Sequence, residues 1–397
     1  MEINRLLSLL QKSKGEAIQS VMEFRDLKQQ YRVLREEMDR AVLDSMASGA
    51  YIMGPQVKEL EKQLAEYIGV KHCLTCANGT DALSLALKAW GIGPGDAVFV
   101  PDFTFFSSAE VVPLEGATPV FVDVCEDTFN IDAADLERTV QEVLAKGRLR
   151  PRVVVTVDLF GLPADYEAVR AVTDKYGLLV LEDGAQGFGG TIKGKCACSF
   201  GDIATTSFFP AKPLGCYGDG GAVFTDNDEW AALIESYRVH GKGQFKYDNV
   251  RIGLNSRLDT VQAAILQVKL KAFADYELDA VNKAAVLYNE RLQGLATPVV
   301  PEGFRSSWAQ YTVRFSDREQ RDVVQAALKA AGIPAMVYYP KPMHLQTAFA
   351  SVIPGLPRNL CSVATSLCER VLSLPMHPYI TVEEIDSVCK VIRQVLQ

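Results

Sequence analysis

The feature that most constrains the fold is a series of short apolar runs that alternate with helical patterns from about residue 57 onward. The apolar runs cover residues 97–100, 119–123, 153–157 and 178–181, and the helical patterns cover residues 57–68, 80–90 and 165–176. Several runs are apolar at every position, as expected for strands that are covered on both faces. Strands separated by helices predict an α/β fold with a mostly parallel sheet flanked by helices.

The pattern becomes mainly helical after about residue 225. Helices are predicted at residues 230–240, 258–273, 279–292, 321–331 and 382–396, with one strand at 310–314. A chain of 397 residues suits two domains better than one core. We therefore predict an N-terminal helical extension at residues 1–22, a large domain at 23–275 and a smaller α+β domain at 276–397.

Composition narrows the range of partners. The formal net charge is −8 and the charged residues are scattered, which argues against nucleic acid as the main partner. We also expect no membrane partner, because no apolar stretch is long enough to cross a bilayer. Nine irregularly spaced cysteines suit a cytoplasmic protein with reduced thiols. Cys73 and Cys76 have CxxC spacing, but no second pair accompanies them, so we expect no metal site.

Two segments place candidate ligand-binding groups at strand ends, where open α/β sheets bind their ligands. Gly79 and Thr80 open a predicted helix, so their N–H groups could hold a phosphate, although a plain helix cap is the alternative. Asp183 ends an apolar strand, where a carboxylate needs a cation such as a protonated pyridine nitrogen. A structural aspartate that caps the next turn is the alternative there.

Two further segments add an amine and an aromatic ring. Lys212 lies between two prolines in a stretch with few charges, where burial would lower its pKa and make it a usable amine. Ser207 could donate a hydrogen bond to a phosphate. Phe105 follows a strand and could stack on a flat ring, although such an aromatic is more often core. A phosphate seat, an aromatic, a strand-end Asp and then a Lys is the layout of fold-type I enzymes that use pyridoxal phosphate (PLP).

Six short sequence motifs carry a closer resemblance to a known family. These motifs are Gly54-Pro-Gln-Val57, Asn78-Gly-Thr-Asp-Ala-Leu83, Glu182-Asp-Gly-Ala-Gln186, Ser207-Phe-Phe-Pro-Ala-Lys212, Gly218-Asp-Gly-Gly221 and Asn255-Ser-Arg-Leu-Asp-Thr-Val-Gln-Ala-Ala264. In this order they resemble the DegT/StrS family of nucleotide-sugar aminotransferases. The resemblance runs from Phe24 to Pro378, nearly the whole chain. It implies a fold-type I PLP-dependent transferase.

The resemblance also implies roles for the cofactor-binding residues. Lys212 would form the Schiff base with the cofactor and later move a proton. Asp183 would pair with the pyridine nitrogen, Gln186 would contact the side of the ring hydroxyl, and Phe105 would stack on the ring. The cofactor phosphate would be held by three residues of the segments above, Gly79, Thr80 and Ser207.

Further implications concern the partner subunit and the substrate. Asn255 would reach the cofactor phosphate of a neighbouring subunit, so the active unit would be a homodimer with shared active sites. Arg257 would contact an anionic part of the substrate. The amino donor would be L-glutamate and the acceptor a keto-sugar nucleotide, most like a UDP-2-acetamido-3-keto-hexuronic acid. Such enzymes serve the biosynthesis of surface polysaccharides such as lipopolysaccharide.

The substrate side departs from the family pattern in two places. Tyr338 stands where relatives often have His, which makes it a candidate substrate contact. The histidine often found near residues 246–249 is absent. Sugar identity or ring position could therefore differ.

Three other classes of protein share parts of this pattern. PLP-dependent sugar dehydratases typically carry His in place of Lys212. Cysteine desulfurases need a reactive Cys and a His beside the ring, where this chain has Gln186. A PLP-binding regulatory protein without catalysis would bind the cofactor but would not react with any amino acid.

Overall fold

The computed structural model describes residues 22–245, 247–353 and 360–396. All but the last residue of the predicted N-terminal extension lies outside the described residues, so its helical character stays a prediction.

A seven-stranded sheet with the order β1-β9-β8-β5-β4-β2-β3 forms the centre of the molecule. Its strands are β1 His72–Cys76, β2 Asp96–Pro101, β3 Thr118–Val122, β4 Arg150–Val157, β5 Leu179–Asp183, β8 Ile203–Ser207 and β9 Gly221–Thr225. β9 runs antiparallel to both of its neighbours, and the other neighbouring pairs are parallel. The mostly parallel sheet predicted from the sequence is therefore confirmed.

Helices cover the sheet on both faces. Those of the first two thirds of the chain are α1 Leu27–Ser48, α2 Pro55–Ile68, α3 Gly79–Ala89, α4 Ser107–Leu114, α5 Ala133–Lys146, α6 Tyr166–Tyr176, α7 Asp228–Tyr237 and α8 Thr260–Ala272. In β2, Val98 and Val100 join the apolar cluster that includes α3 and α4, whereas Ala97 and Phe99 join the cluster that includes α5 and α6. Because alternate residues of a strand point to opposite faces, burial on both faces accounts for the unbroken apolar runs.

The remaining third is built around an antiparallel strand pair. Its elements are α9 Leu278–Arg291, β11 Tyr311–Arg314, α10 Arg318–Ala330, α11 Thr347–Val352, α12 Ser362–Arg370, β12 Val371–Leu374 and α13 Val382–Leu396. A short sheet of β10 Phe304–Arg305, β6 Thr191–Ile192 and β7 Lys195–Cys196 links it to the first part. The predicted domain boundary at 275/276 lies in the π-helical segment Phe273–Glu277, which joins α8 to α9 without a break. The two-domain division stays a prediction.

The structure differs from the sequence-based prediction in a few elements. Helix α1 was not predicted from the sequence. Only four of its 22 residues are buried and two of these are polar, so it lacks a clear apolar face. Strand β1 was given no predicted bounds, although the segment that begins at Cys76 was placed at a strand end, and the structure has a strand at His72–Cys76. Helix α7 ends at Tyr237 rather than at residue 240, since His240 has a φ of +65° and cannot continue a helix.

Among the described residues, no helix is both long and apolar enough to span a membrane. All nine cysteines are unpaired, and burial is the main cause that raises the pKa of the Cys73 and Cys76 thiols.

Candidate active site

A cavity of about 540 Å³ opens at the carboxyl ends of β4, β5 and β8, a size that suits a small-molecule ligand. Eight of the residues singled out in the sequence line it, namely Gly79, Thr80, Phe105, Asp183, Gln186, Ser207, Lys212 and Tyr338. These residues come from positions 79 to 338 of the chain. The structure therefore brings them together at the edge of the sheet where α/β folds bind ligands.

The start of α3 forms a concave seat in this cavity. Asn78 begins the helix by accepting a hydrogen bond at its side-chain oxygen from the N–H of Asp81, at 2.8 Å. The preceding N–H groups have no acceptor within the helix and lie at the positive end of its dipole. A Cβ at Gly79 would lie only 2.7 Å from the Cβ of Ser207, so glycine is required for this close approach. The seat suits a phosphate group.

Asp183 is the last residue of β5 and lies buried beside the cavity. One carboxylate oxygen accepts a hydrogen bond from the Ser108 hydroxyl at 2.7 Å, and the other accepts from the N–H of Ala185 at 3.2 Å. Burial raises the pKa of Asp183, while Ser108 and the Lys212 charge oppose that rise. A cation held in the cavity would favour the ionised form further. Sequence reasoning missed Ser108, although a strand-end carboxylate implies a nearby donor.

Lys212 lies in the loop after β8 and is partly exposed, because it borders the cavity. Its N–H donates to the carbonyl oxygen of Phe209 at 2.9 Å. Burial lowers the pKa of the Lys212 ammonium, the Asp183 carboxylate opposes this, and the Arg25 guanidinium adds to it. The expected direction of the shift is therefore found, and a larger fraction of the amine is unprotonated than for a solvated lysine.

Gln186 and two aromatic rings form another wall. The amide oxygen of Gln186 accepts from the N–H of Phe160 at 2.7 Å, and its amide nitrogen donates to the Tyr339 hydroxyl at 2.9 Å. The Phe105 ring is 52% exposed and lies 6.2 Å from the Tyr339 ring, measured between centroids. A half-exposed aromatic at a cavity wall is available to a flat ligand, unlike a core residue.

The segment that carries Tyr338 and Tyr339 is anchored by a buried aspartate–histidine contact. His344 Nδ1 lies 2.5 Å from a carboxylate oxygen of Asp102, and the His344 N–H donates to the other oxygen at 2.7 Å. Both side chains are fully buried. Asp102 follows β2 directly, so this pair fixes the two tyrosines relative to the sheet. No local pattern predicts this contact, because 242 residues separate its partners in the chain.

Asn255 and Arg257 do not line the Lys212 cavity. They line an adjoining cavity with Ile52 and Asp219, and Asp219 borders both. The surface around them exposes large apolar side chains, with Ile252 92% exposed and Tyr247 86% exposed. Exposed apolar groups of this size mark an interaction surface.

Behind Asp183 lies a buried carboxyl pair, Asp158 and Glu182. Asp158 accepts hydrogen bonds from the N–H of Ala164 at 3.0 Å and from the Tyr166 hydroxyl at 2.8 Å. Glu182 accepts three backbone N–H groups, from Cys198, Phe200 and Gly201. Burial, and then the charge of Glu182, raise the pKa of Asp158 well above its usual value. Asp158 is thus the member of the pair that holds a proton.

This pair predicts a pH-dependent effect of Asp158→Asn. In the wild type the folded state retains a proton that the unfolded state loses above about pH 4, so stability falls as the pH rises from there towards the folded-state pKa. Asparagine mimics protonated Asp158 at every pH. The stability of the variant relative to the wild type should therefore increase as the pH rises above about 4, by roughly 1.4 kcal/mol per pH unit until the folded-state pKa is reached. Calorimetry measures this.

The exposed Asp174 on α6 provides the control. Asp174→Asn should give no such pH-dependent difference. A constant or shrinking gap between Asp158→Asn and wild type would contradict a protonated Asp158.

The residues of the Lys212 cavity fit a phosphorylated aromatic aldehyde. The α3 seat suits the phosphate, Phe105 offers a face to the ring, Asp183 offers a carboxylate to a ring cation, and the Lys212 amine suits a carbonyl carbon. Each feature is present in the described residues of one chain.

Comparison with known proteins yields one family. A model described as the DegT/DnrJ/EryC1/StrS aminotransferase family matches residues 32–393. The UDP-2-acetamido-2-deoxy-3-oxo-D-glucuronate aminotransferase of Pseudomonas aeruginosa is 44% identical over 371 residues, which cover 93% of this chain and 99% of that protein. A pleiotropic regulatory protein of Geobacillus stearothermophilus is 42% identical over 364 residues, with 90% and 94% covered.

Solved structures give the same result. A DegT DnrJ EryC1 StrS aminotransferase from Brucella abortus has a TM-score of 0.90 and 48% sequence identity, over 94% of this chain and 99% of that one. NtdA from Bacillus subtilis, with bound cofactor PMP, has a TM-score of 0.82 and 27% identity, over 91% and 82% of the two chains. PMP is the aminated form of pyridoxal phosphate.

Proposed function

The chain belongs to the DegT/DnrJ/EryC1/StrS aminotransferase family, and we propose that it transfers an amino group from L-glutamate to the 3-keto group of UDP-2-acetamido-2-deoxy-3-keto-glucuronic acid. At the coarser level it is a PLP-dependent nucleotide-sugar aminotransferase. The choice of sugar rests on the 44% identical relative, and the choice of donor on the family resemblance. The product would be used in the biosynthesis of a surface polysaccharide such as lipopolysaccharide. The enzyme would act in the cytoplasm.

One observation carries the catalytic proposal: a buried carboxylate, Asp183, and an amine of lowered basicity, Lys212, line one cavity beside an open helix start. When bound, pyridoxal phosphate supplies an electron sink for the bond electrons released as the substrate loses a proton. Asp183 would keep the ring nitrogen protonated. Gly79, Thr80 and Ser207 would hold the phosphate, and Phe105 and Gln186 would orient the ring.

Lys212 is the group that moves the proton. Its amine would hold the cofactor covalently in the resting enzyme. When free, the same amine would be placed to accept a proton from the substrate carbon and to donate it again within the cavity. A lowered pKa helps, because an amine that is protonated at neutral pH cannot accept a proton.

The substrate would be held from the side of Tyr338 and of the partner subunit. Arg257 also lines a groove of about 1370 Å³ together with His240, Lys242 and Arg251. These basic side chains suit the diphosphate and the sugar carboxylate of an anionic substrate. Tyr338 borders the cavity with a hydroxyl, which can hydrogen-bond a sugar without changing its charge.

A homodimer with shared sites is part of the proposal. The Lys212 cavity adjoins the cavity of Asn255 and Arg257 at Asp219, and apolar side chains are exposed around this opening. In a twofold dimer the same patch meets itself, so residues beside the opening of one site come close to the partner's site. Asn255 and Arg257 would thus complete the site of the partner.

The acceptor assay tests the sugar. Enzyme converted to its amino form with L-glutamate is offered the UDP-3-keto-glucuronic acid derivative, its analogue with a neutral C6 hydroxymethyl group, and a UDP-4-keto-sugar. We expect the uronic acid to react with a kcat/KM roughly tenfold to a hundredfold above the neutral 3-keto analogue, the worth of one charge-assisted hydrogen bond. Mass spectrometry of the amino-sugar products over time measures the rate with each acceptor. Preference for the neutral or 4-keto sugar would contradict the proposed substrate.

The regulatory relative supports a second candidate, a PLP-binding protein that does not catalyse transamination. The half-reaction with amino acids decides between the two. Conversion of the visible band of the lysine-bound cofactor to the near-ultraviolet band of PMP excludes a purely regulatory role. A visible band that does not change when L-glutamate, L-glutamine or L-aspartate is added favours the regulatory role.

A further inference from the structure

Arg25 contacts the main chain of the Lys212 loop and is not among the residues that line the cavity. Its guanidinium Nη2 donates a hydrogen bond to the carbonyl oxygen of Lys212 at 2.8 Å and lies 3.3 Å from that of Pro213. The two partners are 187 residues apart in the chain. A charged donor therefore holds the main chain at the Schiff-base lysine itself, next to a proline that has no N–H of its own.

The segment that carries Arg25 is fixed on two sides. The carbonyl oxygen of Phe24 accepts from the N–H of Met376 at 3.2 Å, and the Asp26 side chain caps α1 by accepting from the N–H of Gln29 at 2.8 Å. The Phe24 ring meets the Tyr338 ring edge-on, with centroids 6.1 Å apart. Adjacent residues of one segment thus contact both the Lys212 loop and a tyrosine of the cavity wall.

The charges below the loop leave an excess of positive charge there. Arg25 and the buried Lys269 share one buried carboxylate, Glu277. The Glu277 oxygen Oε1 already accepts from the Gln30 amide at 2.8 Å and the Tyr379 hydroxyl at 2.6 Å. Burial lowers the pKa of Arg25 to about 10 and that of Lys269 to about 8. At neutral pH two cations therefore face one carboxylate.

We propose that Arg25 is a positioning residue for Lys212, which holds the lysine main chain so that the amine points into the cavity and which places a fixed positive charge behind that amine. The inference rests on the proposed function, because it assigns the role through the Schiff-base lysine. Holding the backbone of a reacting residue restricts the amine to productive geometry. A cation behind the amine opposes its protonation.

Other groups that face Lys212 limit how strongly the Arg25 charge can affect the protonation of the Lys212 amine. Asp183 at the end of β5 attracts the ammonium, and Arg25 repels it. Glu110 of α4, Asp219 of the loop before β9, and the hydroxyls of Tyr338 and Tyr339 also line the cavity. Arg25 is the cation that opposes this acidic surrounding from behind the loop, so its removal should leave Lys212 more basic.

Three variants separate the two parts of the role. Arg25→Met removes the charge and the hydrogen bonds but keeps a side chain of similar length. Arg25→Lys keeps a charge but loses the planar guanidinium that reaches both carbonyl oxygens. Arg318→Gln, which replaces an exposed arginine on α10, is the control. Each is loaded with PLP, and the visible band of the lysine-bound cofactor is titrated against pH. The kcat and KM of the amino-donor half-reaction are then measured.

We expect the midpoint of the titration to rise in Arg25→Met and to stay near the wild-type value in Arg25→Lys. The kcat should fall about tenfold in both, with KM for the donor little changed, because the amine is mispositioned rather than the donor site. Arg318→Gln should match the wild type in all readouts.

An unchanged midpoint in Arg25→Met would overturn the proposal even with a lower kcat, since a purely structural clamp predicts that result. If Arg25→Met does not fold, Arg25→Gln replaces it as the neutral variant. A wild type without the visible band would instead sink the assignment of Lys212, and the inference with it.

Discussion

Lys212→Ala is expected to reduce transamination by about a thousandfold or more, because the proposed mechanism assigns both cofactor attachment and proton transfer to the same amine. The variant should also lack the visible band that the wild type shows with PLP, and L-glutamate should convert its bound cofactor only slowly. Absorbance spectra before and after addition of glutamate, with stopped-flow rates, measure both effects.

Two controls make this result specific to Lys212. Lys269→Met removes a buried lysine whose pKa is also lowered but which does not line the Lys212 cavity, and this variant should keep the visible band. The phosphate seat of Lys212→Ala is intact, so the variant should still bind PLP non-covalently, which equilibrium dialysis detects. A normal visible band in Lys212→Ala would mean that another amine binds the cofactor.

The site residues that sequence reasoning located share a local signal. Gly79 starts a helix after a strand, Asp183 ends an apolar strand, and Lys212 lies between prolines in a stretch with few charges. Strand ends of a parallel sheet converge at one edge, so local patterns were enough to predict that these residues meet. The structure brings them to one cavity.

The residues that sequence reasoning missed depend on tertiary contacts. Arg25 and the Lys212 loop are 187 residues apart, and Asp102 and His344 are 242 apart. No periodicity records such pairings, and a single Arg or His in a sequence reads as an ordinary surface or core residue. Helix α1 was not predicted for a related reason, because its buried face includes Gln30 and Ser45 in place of an apolar stripe.

The same distinction applies to Asn255 and Arg257. The sequence placed them near the cofactor only through the family resemblance, and within one chain they lie in an adjoining cavity rather than beside Lys212. Their separation from Lys212 within one chain is consistent with the proposed homodimer, and a complementation experiment can test this directly.

Mixing two inactive variants is expected to restore activity if the sites are shared. One chain carries Lys212→Ala, and the other carries Asn255→Ala with Arg257→Ala, which should lower activity on the order of a hundredfold through lost charge-assisted hydrogen bonds. In a mixed dimer, the intact Lys212 of the second chain faces the intact Asn255 and Arg257 of the first. Random pairing makes half of the dimers mixed, each with one complete site of two. About a quarter of the wild-type activity should therefore return in the unfractionated mixture, and about half in the isolated mixed dimer.

The matched control mixes Lys212→Ala with Asp183→Asn. Asp183 lines the same cavity as Lys212 within one chain, so every site of this mixed dimer carries one defect and no activity should return. Steady-state assays after co-expression, with tags that isolate the mixed dimer, measure both pairs. Activity from neither pair would place Asn255 and Arg257 in the site of their own chain. Activity from both pairs would mean that reversion or gene recombination has restored a wild-type chain. Recovery from the first pair alone requires that the two subunits build each active site together.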